Sequence, residues 1–369
     1  GKSKRVSLLA PGFRGIPLGG APGMKRIALA NHEMECGSGY WRAALPFRWC
    51  EKPCREAGVE LVIPDRWVDV DGFDAILFYR MLGSQWTPLP WKHFAERKAF
   101  VHWDMDDNFR AVPEWSVAKK SFNGADLLGL EICLGWAKTI SVSTPRLGDS
   151  LGGGGRTRVL PNLIDLSDFR PQLRASDRVR IVWAGSSTHT KDLEVVVPAL
   201  EAARDAYGNS IEIIFVGDCP DFILKNPRID PTFMHWAPVD QYPRMLSLLN
   251  PTIGLAPLAD DPESAAFNEC KSPIKWMEYA AAGAVTIASN APPYSDVIES
   301  GVTGTLCGSD PEEWKDALLR ACDESVNRAS LGFRHPDWPV ALAEVRRNHS
   351  WHSEACRNLW VNHFLEMVK

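Results

Sequence analysis

Three stretches of this chain carry residue types whose spacing suits anion binding or proton transfer. The first is IVWAGSSTHTKDLEVVVPAL, residues 181–200, in which a β-branched run enters a small polar turn and then a helical pattern. Backbone amides at the start of a helix, framed by Gly185, Ser186, Ser187 and Thr188, form a natural anion site. His189 and Lys191 would add charge against a phosphate. The turn is neither a Walker loop nor a G-x-G-x-x-G, so a P-loop NTPase or an ordinary dinucleotide enzyme is not expected. A plain helix cap by Thr190 or a neighbouring serine is the bland alternative.

The second stretch is FNECKSPIKWMEYAAAGAVTIASNAPPYSDVIESGVTGTLC, residues 267–307. Lys271, Ser272 and Lys275 cluster where a helix begins. Lysines there oppose the helix macrodipole, which makes sense if an anion sits among them. Glu278 follows Lys271 by about two turns, so both can share a face. One could hold phosphate while the other accepts hydrogen bonds from sugar hydroxyls. Solvated lysines and a structural ion pair worth a few tenths of a kcal/mol are the alternatives.

The third stretch is HWDMDDNFRAVP, starting at His102. Its D-x-D resembles a metal–diphosphate signature, and hard oxygen ligands at that spacing suit Mg²⁺ or Mn²⁺. The diphosphate signals lie far downstream, however. Asp104, Asp106, Asp107 and Asn108 therefore read as a cleft-facing cluster on the opposite side, with loop capping as the alternative. No metal or other cofactor is expected.

The elements that must position these residues alternate in character along the chain. MKRIALAN, VELVIP, DAILFYR, KAFVHWD and KTISVST read as one set of strands, and VRIVWAG, IEIIFVG, PTIGLAP and AVTIAS as a second. Short apolar runs bounded by Gly, Pro and Asp fit buried parallel strands. Intervening stretches such as 192–207 and 273–282 have the length of crossover helices. The expectation is an α/β chain with two doubly wound, Rossmann-like parallel sheets facing each other across a cleft. Residues 1–170 would form the first domain and 171–334 the second, with a hinge in the Pro-containing connector 159–178. Residues 335–369, with Leu359, His363 and Met367 at helical spacing, read as a helical tail packed on one domain.

Composition narrows the class. The 369 residues suit two domains, and 41 Lys+Arg against 46 Asp+Glu give a net charge of −5, which excludes a generally basic nucleic-acid coat. No apolar run is long enough for a membrane span, and the N-terminal one is too short for a secretion signal. Nine scattered cysteines fit neither a redox pair nor a zinc knuckle and read as reduced, buried thiols of a cytoplasmic protein. Most of the 15 tryptophans are expected in packing. His349, His352 and His363 read as surface or packing residues, and His32 as a weak candidate for the cleft.

The second half resembles the nucleotide-sugar domain of GT-B glycosyltransferases, in particular the large retaining family with an E-x7-E signature. MEYAAAGAVTIAS resembles its E-A-M-A-x-G-x-P-V-V-A-S helix, and VIESGVTGTLC the segment that follows. The resemblance makes Glu278 the second glutamate, which hydrogen-bonds the donor ribose. The first falls at Cys270, with Glu269 one place before it. KSPIKWMEY is similar to a K-S-x-x-K-x-x-E-Y variant, in which Lys271 and Ser272 approach the diphosphate. GSSTHTKDL resembles a G-(S/T)-x-x-H-x-x-D-L form, implying Ser187, Thr188 and His189 near it too. In the first half, GSGYWRAALP (Gly39, Tyr40 and Arg42), the strand ending in Arg80, VSTPRLGDSL and VLPNLIDLSDF, with Asn162, resemble family segments of the acceptor side and hinge.

The resemblance implies a metal-independent, retaining transfer from a UDP- or GDP-type sugar to an acceptor hydroxyl. The acceptor would be a glycan, lipid, protein or modified nucleic acid, including a hydroxylated base of DNA. An inverting reaction would instead need a base such as Asp104, Asp107 or His102. Cys270 keeps open a non-catalytic nucleotide-sugar or glycan-binding protein, and the D-x-D a metal-dependent GT-A enzyme.

Overall fold

The computed structural model describes residues 23–30, 37–63, 72–80, 100–121, 124–174, 176–332 and 334–369. His32 lies outside them. Within them, two all-parallel sheets of six strands form. The first comprises β1 (Lys25–Ala30), β2 (Val59–Val62), β3 (Ala75–Tyr79), β4 (Phe100–Met105), β5 (Thr139–Val142) and β6 (Thr157–Val159), in spatial order 2-1-3-4-5-6. The second comprises β7 (Val179–Gly185), β8 (Ile211–Gly217), β9 (Thr232–Met234), β10 (Ile253–Ala256), β11 (Val285–Ser289) and β12 (Thr305–Cys307), in order 12-11-10-7-8-9.

Both expected strand sets are present, and the doubly wound expectation holds. The three strands that sequence patterning missed, β6, β9 and β12, are three residues each and sit at sheet edges. Such strands bury too few side chains to leave a pattern: β6 has none fully buried. The strand order reverses between β1 and β3 in one sheet and between β7 and β10 in the other. Ligands of open α/β sheets bind beyond the carboxyl ends of strands at such points.

At the second switch point the strands are held apart by a side chain. β7 and β10 pair only at Ile253↔Ile181 and Gly254↔Val182. Beyond that, the Tyr279 hydroxyl accepts from the Ala184 amide (3.0 Å) and donates to the Leu255 carbonyl (3.1 Å). Gly254 makes room, since a Cβ there would lie 2.2 Å from the Tyr279 ring. Tyr279 belongs to the helix Ile274–Ala282, which ends at Gly283 in a left-handed cap (φ 107°).

One core joins the halves. Leu160, Leu163 and Ile164 of the connector share an apolar cluster with Leu45 and Phe47 of the first half and Trp276 and Met277 of the second. The C-terminal tail also belongs to this seam. It packs on both halves rather than one: the Trp338 indole donates to the Ala280 carbonyl (2.8 Å), and the Trp360 indole to the Pro161 carbonyl (3.2 Å). The helix Glu354–Met367 then lies against the helix Leu45–Glu56 of the first half. His363 is buried there against His102, and the half-buried His349 meets Trp276 edge-on. Eight described cysteines are unbridged and buried. No described helix is long and apolar enough to cross a membrane.

Replacing Tyr279 by Phe keeps the ring but leaves the buried Ala184 amide and Leu255 carbonyl without this partner. The expected cost is about 1–3 kcal/mol in chemical denaturation. A loss near zero would show that the hydroxyl bridge is dispensable.

Candidate active site

A cavity of about 820 Å³ opens between the carboxyl ends of the two sheets. Its second-sheet wall is built by the end of β7 and the helix Ile274–Ala282. Lys275 reaches back along its helix and donates to the Ala184 carbonyl at 2.7 Å. Both backbone groups of Ala184 are thus taken by side chains one helical turn apart. The turn that follows lines the cavity through Gly185, Ser186 and Thr188, while its His189 and Thr190 amides donate to the Ser186 and Ser187 carbonyls. Gly185 is required by close packing, because a Cβ would fall 2.4 Å from the Trp183 indole. The Ser186 and Thr188 hydroxyls are 2.7 Å apart.

Lys271, Ser272, Lys275, Glu278 and His189 line the same wall. Burial pulls the Lys275 ammonium down to about 8, helped by the charge of Lys271, with Glu278 opposing. Burial pushes the Glu278 carboxyl up to about 7; Lys275 and a 3.1 Å hydrogen bond from the Tyr242 hydroxyl pull the other way. His189 is held by Asp192 at 2.7 Å, and burial with the two lysines lowers it to about 3. Asp192 is itself fixed, accepting from the Ala259 amide (2.7 Å) and Asn268 (3.2 Å). The wall therefore gathers lysines, a tight turn and small hydroxyls around one carboxylate.

The facing wall comes from the first sheet. Arg80 follows β3 with a left-handed backbone (φ 48°), a conformation costly for a non-glycine residue. Its guanidinium meets Asp107 at 2.5 Å, Asp106 at 3.3 Å and Ser38 at 2.6 Å, and lies over the Phe109 ring. Asp106 also accepts from the Tyr79 hydroxyl at 3.0 Å. Burial and the neighbouring Asp106 charge push the Asp107 carboxyl above its ordinary range, against Arg80 and Lys271.

Several residues singled out from sequence lie elsewhere. Asp104 is fully buried and clasped by Arg42 through two hydrogen bonds of 2.8 and 2.6 Å, with Ser141 adding a third. It cannot act as an acceptor base, nor can Arg42 line the cleft. His102, in the same strand, is buried 2.5 Å from the Thr139 hydroxyl and is not among the residues lining this cavity. Tyr40 donates to Asp168, Gly39 is buried beside it, and Lys191 pairs with Asp261. Asn108 donates weakly across the seam to the Ala266 carbonyl and Cys270 sulfur. The Ser187 carbonyl accepts from the Thr190 hydroxyl at 2.9 Å, and Ser187 is not among the residues lining the cavity.

Cys270 is buried in the first sheet's cluster, and Thr144 donates to its carbonyl at 2.9 Å. Glu269 is exposed and outside the cavity lining. The position of the family's first glutamate thus serves the seam between the halves. Sequence reasoning missed Trp236, Tyr242, Asp126 and Trp41, which also line the cavity. Only Trp236 carried a signal, an aromatic directly before a Pro-containing loop. The others are placed by distant elements.

Residues 178–324 match the family described as Glycosyl transferases group 1. They form a group 1 glycosyltransferase domain. No curated protein matches the chain as a relative. Among solved structures, Anabaena HepE in complex with UDP-glucose is similar at 13% identity, with a TM-score of 0.58 over 94% of this chain and 99% of that one. Sucrose-phosphate synthase from Thermosynechococcus elongatus gives 13% identity and 0.63 over 93% and 99%. A glycosyltransferase from Rickettsia africae gives 12% and 0.58 over 95% and 98%. These likenesses show the fold: two facing Rossmann-like sheets in the GT-B arrangement, with the glycosyltransferase domain supplying the lysine-rich wall.

The raised Glu278 carboxyl has a stability signature. Its folded value lies above the unfolded one, so the native state holds the extra proton and stability falls as pH rises from about 4.5 to about 7. Wild type should lose more stability between pH 5 and pH 8 than Glu278→Gln does in denaturation at both pH values. Equal losses would place the titration elsewhere.

Proposed function

We propose that this chain transfers a sugar from a UDP- or GDP-type nucleotide sugar to an acceptor hydroxyl, without a metal and with retention. The observation that supports the reading most is the set of Lys271, Lys275, Ser272 and the turn after β7 around one buried carboxylate. The diphosphate of the donor is the charged part of the leaving group, and preorganised donors at that place stabilise its developing charge. Lys275 already spends one donor on Ala184, which fixes its ammonium before the ligand arrives. A diphosphate beside it would offset the repulsion from Lys271. Glu278, held by Tyr242, is suited to accept from ribose hydroxyls.

The D-x-D carboxylates argue for metal independence through their partners. Asp104 is consumed by Arg42, and Asp106 faces Tyr79 and Arg80, so the two do not converge on a common point. Asp107 is paired with Arg80 and suits orienting the acceptor rather than taking its proton. In a retaining transfer the departing phosphate takes that proton, and the first-sheet wall need only position the hydroxyl.

UDP at 100 times its dissociation constant should stabilise the wild type by about 2.7 kcal/mol, a few degrees in melting temperature. The shift should survive EDTA and vanish in Lys271→Ala and Glu278→Ala. A shift that needs Mn²⁺, or that neither substitution affects, would overturn the assignment.

A further inference from the structure

A line of hydrogen bonds crosses the seam between the halves and ends on the wall that carries the lysines. It starts at the buried Asp104, which accepts from Arg42 at 2.8 and 2.6 Å and from the Ser141 hydroxyl. The Arg42 guanidinium lies over the Trp360 ring of the tail, 4.7 Å from its centre, and donates to the Leu160 carbonyl. The same guanidinium nitrogen reaches the Asn162 side-chain oxygen at 3.1 Å. The Asn162 side-chain nitrogen then donates to the Ser272 hydroxyl at 2.8 Å. Asn162 and Ser272 both line the cavity, together with Lys271.

Each direction in this line is fixed by what the groups can do. A guanidinium only donates, so the atom of Asn162 that faces Arg42 is its oxygen, and its amide nitrogen faces Ser272. A hydroxyl holds a single hydrogen. Ser272 accepts from Asn162, so that hydrogen points elsewhere, and among the described residues nothing receives it. The cavity is the direction left open to it.

We propose that Asn162 is a positioning residue for the donor's diphosphate: anchored on the Arg42–Asp104 pair, it turns the Ser272 hydrogen into the cavity, toward a phosphate oxygen. The inference rests on the nucleotide-sugar reading above and adds that the first half of the chain sets part of the phosphate site on the second. A donor turned beforehand meets the anion without reorganising. Lys271 and Lys275 attract the same group by charge, and Ser272 adds a bond with a direction.

The test is calorimetric titration of the purified chain with UDP and with inorganic diphosphate. Asn162→Asp keeps an oxygen for Arg42 but sets another oxygen against Ser272, so the Ser272 hydrogen turns back to that carboxylate and away from the cavity. Asn162→Asp and Ser272→Ala should each weaken both ligands about tenfold, the scale of one hydrogen bond to a charged group. The double variant should stay within about twofold of either single one, because both act through one hydrogen. A distorted seam, or the added negative charge by itself, would carry its loss into the Ser272→Ala background. A double variant weakened about a hundredfold would therefore overturn the proposal, as would UDP binding unchanged in Asn162→Asp. Asn162→Ala, which lets the hydroxyl choose its direction, should lose about threefold and nothing further on Ser272→Ala. It carries the test if the aspartate variant does not fold, and a loss that persists on that background counts against the proposal in the same way. A wild type that binds neither ligand would remove the nucleotide reading, and the role of Asn162 with it.

Discussion

The site depends on how one helix docks against one strand end. Lys275 and Tyr279, a helical turn apart, take the carbonyl and the amide of Ala184 at the point where β7 parts from β10. A strand end at a sheet switch point has backbone groups with no neighbouring strand to satisfy them, and leaving them buried and unpaired would be costly. Here two side chains satisfy them, and the same contacts fix the helix that carries Glu278 and follows Lys271. The turn beyond Ala184 then lines the cavity through Gly185, Ser186 and Thr188. Gly254 and Gly185 follow from this arrangement, since each lies where a methyl group would meet an aromatic ring.

A second constraint ties the two halves together. Arg42 and Asp104 form an ion pair with no exposed surface, and Arg42 also donates to the Leu160 carbonyl and to Asn162. Asn162 in turn donates to Ser272 at 2.8 Å, beside Lys271 on the opposite wall. A buried pair of this kind gains little net stability, yet removing one partner leaves an uncompensated charge at a cost of about 3–5 kcal/mol. Its value here is geometric. It sets the connector, and through Asn162 the loop that carries Lys271 and Ser272, relative to the first sheet. Thr144, Asn108 and the buried Cys270 add contacts on the same seam.

Charge is divided across the cavity in a way that suits transfer. Lysines, hydroxyls and amides line one wall; Arg80 with Asp106 and Asp107 lines the other. The strained backbone at Arg80 holds its guanidinium over Phe109 and between the two carboxylates. Lys275 and Glu278 are both displaced from their ordinary ranges toward neutrality, as expected where burial disfavours charge.

Much of this was legible in the sequence. Buried parallel strands announce themselves as apolar runs, and the KSPIKWMEY and GSSTHTKDL segments are local: their residues share one helix or one turn, so spacing alone predicts that they meet. Edge strands of three residues left no such trace. The failures at Asp104, His102, Arg42 and Tyr40 have a common cause. A carboxylate that faces a cleft and one that is buried beside an arginine look identical in sequence, because the arginine lies about sixty positions away. Asp106 and Asp107, one and two residues after the end of β4, reach the cavity, whereas Asp104 within the strand points into the core. The sequence by itself determined the two sheets, the small polar turn after β7 and the lysine-bearing helix, since each is written in neighbouring residues. Only the tertiary structure decided which carboxylates are spent on structure, that Cys270 belongs to the seam, and that Trp236 and Tyr242 join the site, because those outcomes depend on contacts between segments far apart in the chain.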